Sequence, residues 1–194
     1  MKYAFLALCI AFALTAQISD LPPRDIMTRG ILTLADFKLR SPEFLHNGPI
    51  PRNLTCDGKN LSPILEWDGV AQTVEEFALI VDDPDAPGKE PFVHWVIYNI
   101  PLSTRGILKQ LKRAPSLIDG TKQGTNSFGN IGWDGPCPPK KDRAHQYIFT
   151  LYALDKKISL AAGATKAQLL KAMKAQGSIA QTTQLIGTYQ RARR

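Results

Sequence analysis

Glu76-Phe77-Ala78-Leu79-Ile80-Val81-Asp82-Asp83-Pro84-Asp85-Ala86-Pro87-Gly88 begins as an almost continuous apolar run and ends in two prolines and a glycine. The first six residues have the composition of a central β-strand. The prolines and the glycine that follow force a turn. Phe92-Val93-His94-Trp95-Val96-Ile97-Tyr98-Asn99-Ile100, stopped by Pro101, is a second strand of the same kind, and Gln146-Tyr147-Ile148-Phe149-Thr150-Leu151-Tyr152-Ala153-Leu154 is a third. Shorter strands are expected at Ile31–Leu34, at Leu65-Glu66-Trp67 and, closing the chain, at Leu185–Tyr189. The chain is therefore expected to be mostly β.

Only Lys166–Ala175 reads as a helix, with Thr165 as N-cap, Leu169, Leu170 and Met173 as its apolar stripe, and Gly177 as its stop. That stripe is ordinary core packing. Ser41–Lys59 is loop with ordered turns, and Gly120–Asp142 is a long loop rich in glycine and proline. Loops of that length in a compact domain are usually functional. No repeat, low-complexity tract or dividing linker interrupts the chain.

With 194 residues the chain is long enough for one well-buried domain and too short for two ordinary ones. The formal charge of +7 is scattered, clustering only at Lys109–Lys112–Arg113, at Lys140–Lys141–Arg143 and at Arg191–Arg193–Arg194. No aromatic residues interleave these cations, so they read as solvated surface and no nucleic-acid partner is expected. Lys2, the apolar run Tyr3–Leu14 and the small residues Thr15 and Ala16 have the order of a secretory signal peptide. The expected organisation is signal peptide 1–16, leader segment 17–30 and one domain over 31–194, with the product exported to a periplasm or secreted. An uncleaved helix packed on the domain is the competing reading. Cys9 follows Leu8 rather than a small residue, which argues against lipid attachment. Cleavage leaves Cys56 and Cys137, and an even pair in an exported protein suggests a disulfide. Two buried thiols or one reactive thiol are the alternatives.

Three segments carry chemistry: Asp83-Pro84-Asp85-Ala86-Pro87 at a strand end, His94-Trp95 early in the next strand, and Gly135-Pro136-Cys137-Pro138-Pro139 followed by His145-Gln146-Tyr147. His145 and Tyr147 are two apart in a strand, so their side chains share a face. If His94 enters the same face, two imidazoles and a phenol converge, and protonated imidazole and phenol both donate hydrogen bonds to an anion. A carboxylate such as Asp83 would orient an imidazole. Each residue also has a plainer reading: His94 as a core histidine on a backbone carbonyl, Asp83 and Asp85 as turn formers, Tyr147 as a strand aromatic. His46 stands in a loop with no partner and reads as surface.

Taken together, these segments resemble the two signature regions of the phosphatidylethanolamine-binding protein (PEBP) family. Asn60-Leu61-Ser62-Pro63 with Trp67, Thr55-Cys56-Asp57-Gly58 and the closing Leu185-Ile186-Gly187-Thr188-Tyr189 are similar to its bacterial and archaeal Raf-kinase-inhibitor-like (YbhB/YbcL-type) branch. The resemblance runs from about Leu32 to Tyr189. It implies a β-sandwich with a few peripheral short helices and, at one end, a pocket for phosphate-like or carboxylate anions, including phospholipid head groups. The pocket residues it implies are Asp83, Asp85, His94, Pro139, His145 and Tyr147, with Trp95 and Cys137 adjacent. It further implies a homodimer and a regulatory or inhibitory role toward a protein partner, a kinase or other enzyme. Two departures stand out: Gln146 where the family commonly has arginine, and Lys140-Lys141-Asp142 in place of a more glycine-rich stretch.

Three functions compete. A binding protein fits convergent donors without an activated nucleophile. A hydrolase would use Cys137, His145 and Asp83 as nucleophile, base and orienting acid; a disulfide at Cys137 would exclude it. A protease or enzyme inhibitor would act through an exposed loop. No nucleophile elbow, zinc-binding His-Glu-x-x-His or Cys-x-x-Cys spacing is present, so no catalytic residue, cofactor or metal is expected.

Overall fold

The structure is a computed structural model that describes residues 36–192. The signal peptide, the leader, the Ile31–Leu34 strand, Arg193 and Arg194 lie outside the described residues. Strands β4 (Glu76–Asp83), β5 (Phe92–Pro101) and β8 (His145–Leu154) form the centre of a six-stranded sheet. Its order is β2-β9-β8-β4-β5-β7, with β2 at Gly48–Pro49, β7 at Lys122–Gln123 and β9 at Ile179–Tyr189. A second sheet of three strands has the order β1-β3-β6, from Lys38–Arg40, Leu65–Asp68 and Gly106–Ile107. All pairings are antiparallel except β2 with β9.

The two sheets enclose a core in which Leu39, Leu65, Trp67 and Ile107 meet Phe77, Leu79, Val81, Trp95, Ile97, Phe149 and Leu151. This is a β-sandwich. The outer face of the larger sheet carries Ala78, Ile80, Val96 and Tyr98, and helix α1 (Lys166–Gln176) covers it with Leu169 and Met173. The apolar run in β4 is continuous because both faces of the strand are buried. The alternation in β8 is different: Tyr147, Phe149 and Leu151 point inward while Gln146 is exposed. A slip of one residue would turn all three out of the core. Fully burying such a side chain is worth about 1.5–3 kcal/mol, so the register is firmly set, and it carries His145 and Tyr147 to the inner face together.

Helix α1 starts at Thr165 in a reciprocal capping box with Gln168 and stops at Gly177 in the left-handed conformation, as expected. Besides α1, the described residues contain a short 3-10 turn at Arg52–Leu54. The closing strand is longer than expected, because Ile179–Gln184 pairs with β8 although its side chains are mostly polar. The long loop is also more ordered than expected. It contributes β7, and isolated bridges join Ser116 to Lys122, Gly124 to Gly163 and Thr125 to Ile131. His46 is exposed, but its Nδ1 accepts the Ile186 N–H at 3.4 Å.

One irregularity positions a functional residue. Between Val81 opposite Trp95 and Asp82 opposite Val93, the β4–β5 register slips by one residue, and His94 is the extra residue of the bulge. A second slip, between Phe77 and Leu79, accommodates Asn99 at a φ of 51°.

Candidate functional site

Asp83 ends β4 on its inward parity and is 3 % exposed. One oxygen accepts the Asp85 N–H at 2.9 Å, the hydrogen bond of a turn-forming aspartate. The other accepts the His145 Nδ1–H at 2.8 Å, so the turn role and the imidazole-orienting role are filled by one side chain. His145 opens β8, and its Nε2 faces the Asp142 carboxylate at 3.4 Å, beyond a good hydrogen bond.

His94 should, by simple alternation, face α1 along with Val96 and Tyr98. The bulge turns it inward instead, edge-on to Tyr147 with ring centroids 5.1 Å apart. Its Nδ1–H donates to the Asp134 carbonyl at 2.6 Å. Phe92 and Phe128 pack on the imidazole at 5.4 and 5.7 Å and on each other at 4.7 Å, with Phe128 reaching solvent. Burial lowers the His94 pKa, against the Asp134 carbonyl and the Asp83 charge, which favour the imidazolium. Tyr147 is fully buried, and its hydroxyl has no hydrogen-bond partner among the described residues. Burial, with the Asp83 carboxylate acting second, pushes the phenol pKa well up, so the hydroxyl keeps its proton.

Asp83, His94, His145 and Tyr147 are thus brought together at one end of the sandwich, and all four are buried. Such a cluster can touch a small group but not the body of a large ligand. Asp85 stands half-buried beside it, its carboxylate accepting from Arg143 at 2.6 Å and from the Gln146 N–H at 2.8 Å. Pro139 is exposed on the rim, where its carbonyl accepts the Asp142 N–H. Trp95 lies in the core with its indole N–H on Gln123, edge-on to Trp133, and supports the wall rather than lining the cluster. Cys137 is bonded to Cys56 in a disulfide, which ties the proline-rich rim to the loop before Asp57. Tyr189, opposite His145 in β9, donates its hydroxyl to Asp57 at 2.8 Å.

Sequence reasoning missed Asp134, whose carbonyl fixes His94. Its carboxylate is held by Arg113 and by the amides of Asn60, Asn126 and Asn130 at 3.2, 2.8 and 3.0 Å. Burial raises the Asp134 pKa, but those donors outweigh it and hold the carboxyl below its ordinary range. The spacing Asn126, Asn130, Asp134 within a glycine-rich loop was the available signal. Asp142 and Arg143, read from the sequence only as surface charge and as a departure from the family, stand beside His145 and Asp85.

The functional groups on offer are mixed. Tyr147 supplies an O–H with no well-formed hydrogen bond among the described residues, with the Asp83 carboxylate and the Cys137 backbone beside it. Because a carbonyl can only accept, Nδ1 of His94 carries the proton that faces Asp134, and the Gly135 carbonyl also stands beside the ring. A charged carboxylate, Asp83, sits behind both imidazoles.

Comparison with known proteins matches residues 40–190 to the family described as phosphatidylethanolamine-binding protein. A UPF0098 protein of Methanothermobacter thermautotrophicus is 46% identical over 153 residues, covering 79% of this chain and 98% of that protein. One from Aquifex aeolicus is 40% identical, covering 78% and 86%. Among solved structures, the phosphatidylethanolamine-binding protein homolog CT736 of Chlamydia trachomatis is similar at a TM-score of 0.72 and 36% identity, covering 80% of this chain and 97% of that one. YbcL of E. coli, described as a member of the mammalian PEBP family, is similar at 0.74 and 31%, covering 80% and 99%.

Proposed function

The chain belongs to the phosphatidylethanolamine-binding protein family, and on that premise we propose that it is an exported binding protein whose site takes a small anionic group of the phosphate or carboxylate kind. The observation that carries the reading is the Tyr147 hydroxyl, a buried donor left without a partner beside two imidazoles. Buried polar groups are nearly always hydrogen-bonded, and an unpaired one calls for an explanation. A ligand oxygen supplies it. The limited exposure of the cluster fits a single phosphoryl or carboxylate group presented on a larger molecule, as in a phospholipid head group.

Binding is favoured over catalysis because Cys137 is held in a disulfide and cannot attack a substrate. The same bond supports export, since disulfides persist in oxidising compartments. The test is titration of the protein with phosphate, phosphoethanolamine and acetate while the histidine ring signals are followed by NMR. Saturable shifts of His94 and His145, weakened in Tyr147→Phe, are expected. No shift with any of the three would sink the reading.

A further inference from the structure

We propose that the end of the sandwich opposite the histidine cluster holds a second binding site, for an aliphatic amine, with its chain between the two sheets and its ammonium group in the acidic cleft bordered by Asp119. The site is separate from the histidine cluster and does not depend on it. At about 3.3 Å per residue along β4, from Glu76 to Asp83, the two ends lie roughly 23 Å apart.

The sheets part near the Glu76 end. Ile97 and Ile100 of β5 and Ile107 of β6 belong to the core between the facing sheets. With Leu108, Leu111 and Leu117 they line a cleft of about 240 Å³. The walls are aliphatic, so they suit a saturated chain rather than a stacked ring. An apolar cavity of about 150 Å³ already takes a six-carbon ring, and this one has room for a six-carbon chain. The rim is apolar too: Leu108 is 79% exposed and Ile118 wholly so. Apolar side chains gathered at the surface around a cleft mark an interaction site.

The charge at the mouth selects the head group. Asp119 lines this cleft and also a larger one of about 720 Å³. Among the residues lining the larger cleft, Glu75, Glu76 and Asp119 face a single cation, Lys157. Glu76 is 4% exposed, and its oxygens are held by neutral groups: the Asn99 amide at 3.0 and 3.2 Å and the Ile158 N–H at 2.8 Å. Asn99 lines the same cleft, and its Oδ1 is a buried acceptor with no partner among the described residues. Buried polar groups are nearly always paired, and a buried carboxylate is costly without a cation. The unmet demand at this end is therefore for a cation that donates hydrogen bonds. An ammonium group meets it. A carboxylate head would be repelled, and a hydroxyl would bring no charge.

Hexylammonium, 1-hexanol and hexanoate share one chain and differ in the charge of the head, and they make the test. Titration of the protein with hexylammonium, followed by methyl NMR, should shift the signals of Ile97, Ile100, Ile107 and Leu117 saturably while the His94 and His145 ring signals stay in place. Its affinity should exceed that of 1-hexanol by about fivefold, as one partly exposed ion pair supplies, and hexanoate should bind most weakly. In Asp119→Asn the amide oxygen can still accept the Thr121 N–H that Asp119 holds at 3.0 Å, so the turn is kept. The preference for the amine over the alcohol should then shrink. In Leu117→Gln both should lose affinity. Equal or tighter binding of 1-hexanol, an undiminished preference in Asp119→Asn, or the lack of methyl shifts with any of the three probes would overturn the proposal.

Discussion

Nδ1 of His145 stands 2.8 Å from Oδ2 of Asp83, and the two side chains are 3 % and 4 % exposed. Water therefore cannot replace either partner. Asp83→Ala would leave the imidazole N–H and the Asp85 N–H without their acceptor. Removing one member of a buried pair costs about 3–5 kcal/mol. Urea unfolding should show a loss in that range. A loss below about 1 kcal/mol would mean that the pair does not hold the strand ends together.

Asp142 places a second carboxylate 3.4 Å from Nε2 of the same histidine, where an incoming anion would compete with it. The residue is 39% exposed on its side chain, so its field is partly screened. Asp142→Asn should raise phosphate affinity several-fold, on the order of 1 kcal/mol, with little change in melting temperature. Unchanged or weaker binding would show that Asp142 is not a competitor.

The burial that lowers the His94 pKa makes stability depend on pH. The folded state disfavours the second proton, so below the ordinary histidine value of about 6.5 the unfolded chain binds more protons. Stability from this group is full above about 6.5 and is lost as pH falls through the lower folded value. The Asp134 and Asp57 carboxyls, held below their ordinary range, weaken the fold only at more acid pH. Thermal melts between pH 7.5 and 5.5 should fall for the unaltered protein and flatten in His94→Gln. Parallel curves would contradict the assignment.

How far the site could be read in the sequence follows from the range of the interactions. The spacing of His145 and Tyr147 in a strand sufficed to put them on one face, because strand alternation is local. The same rule misplaces His94, since a bulge depends on how β4 meets β5 and leaves no trace in β5 alone. The central strands were legible from their apolar runs. The polar half of β9 was not, because its pairing with β8 rather than its composition makes it a strand. Asp134 was hidden for a third reason: Asn60, one of its partners, lies 74 residues away.

The Asp134 cluster should matter to binding through His94. Asp134→Ala keeps the carbonyl but frees Arg113, Asn60, Asn126 and Asn130, which now hold the loop in place. Charge-assisted hydrogen bonds of this kind contribute about 1.5–3 kcal/mol each, part of which is lost to solvent at Arg113. Weaker phosphate binding together with altered His94 ring signals is expected, while the His145 signals stay in place. If both histidines respond alike, the cluster supports the whole domain and has no particular tie to His94.

The disulfide between Cys56 and Cys137 closes a loop across a sequence separation of 81 residues and anchors the rim on which Pro136 and Pro138 are buried. Cross-links of that span restrict the unfolded chain, and their removal costs about 2–5 kcal/mol. The bond also fixes Cys137 next to the site: the Cys56 N–H donates to the Pro136 carbonyl at 3.1 Å, and the Cys137 backbone borders the Tyr147 hydroxyl. Reduction should therefore lower the melting temperature and weaken phosphate binding together. The double variant Cys56→Ser, Cys137→Ser separates this from side effects of the reductant. Calorimetry at a temperature where the variant is still folded should show weaker binding of phosphate than the oxidised protein. Full affinity in the folded double variant would limit the disulfide to a role in stability.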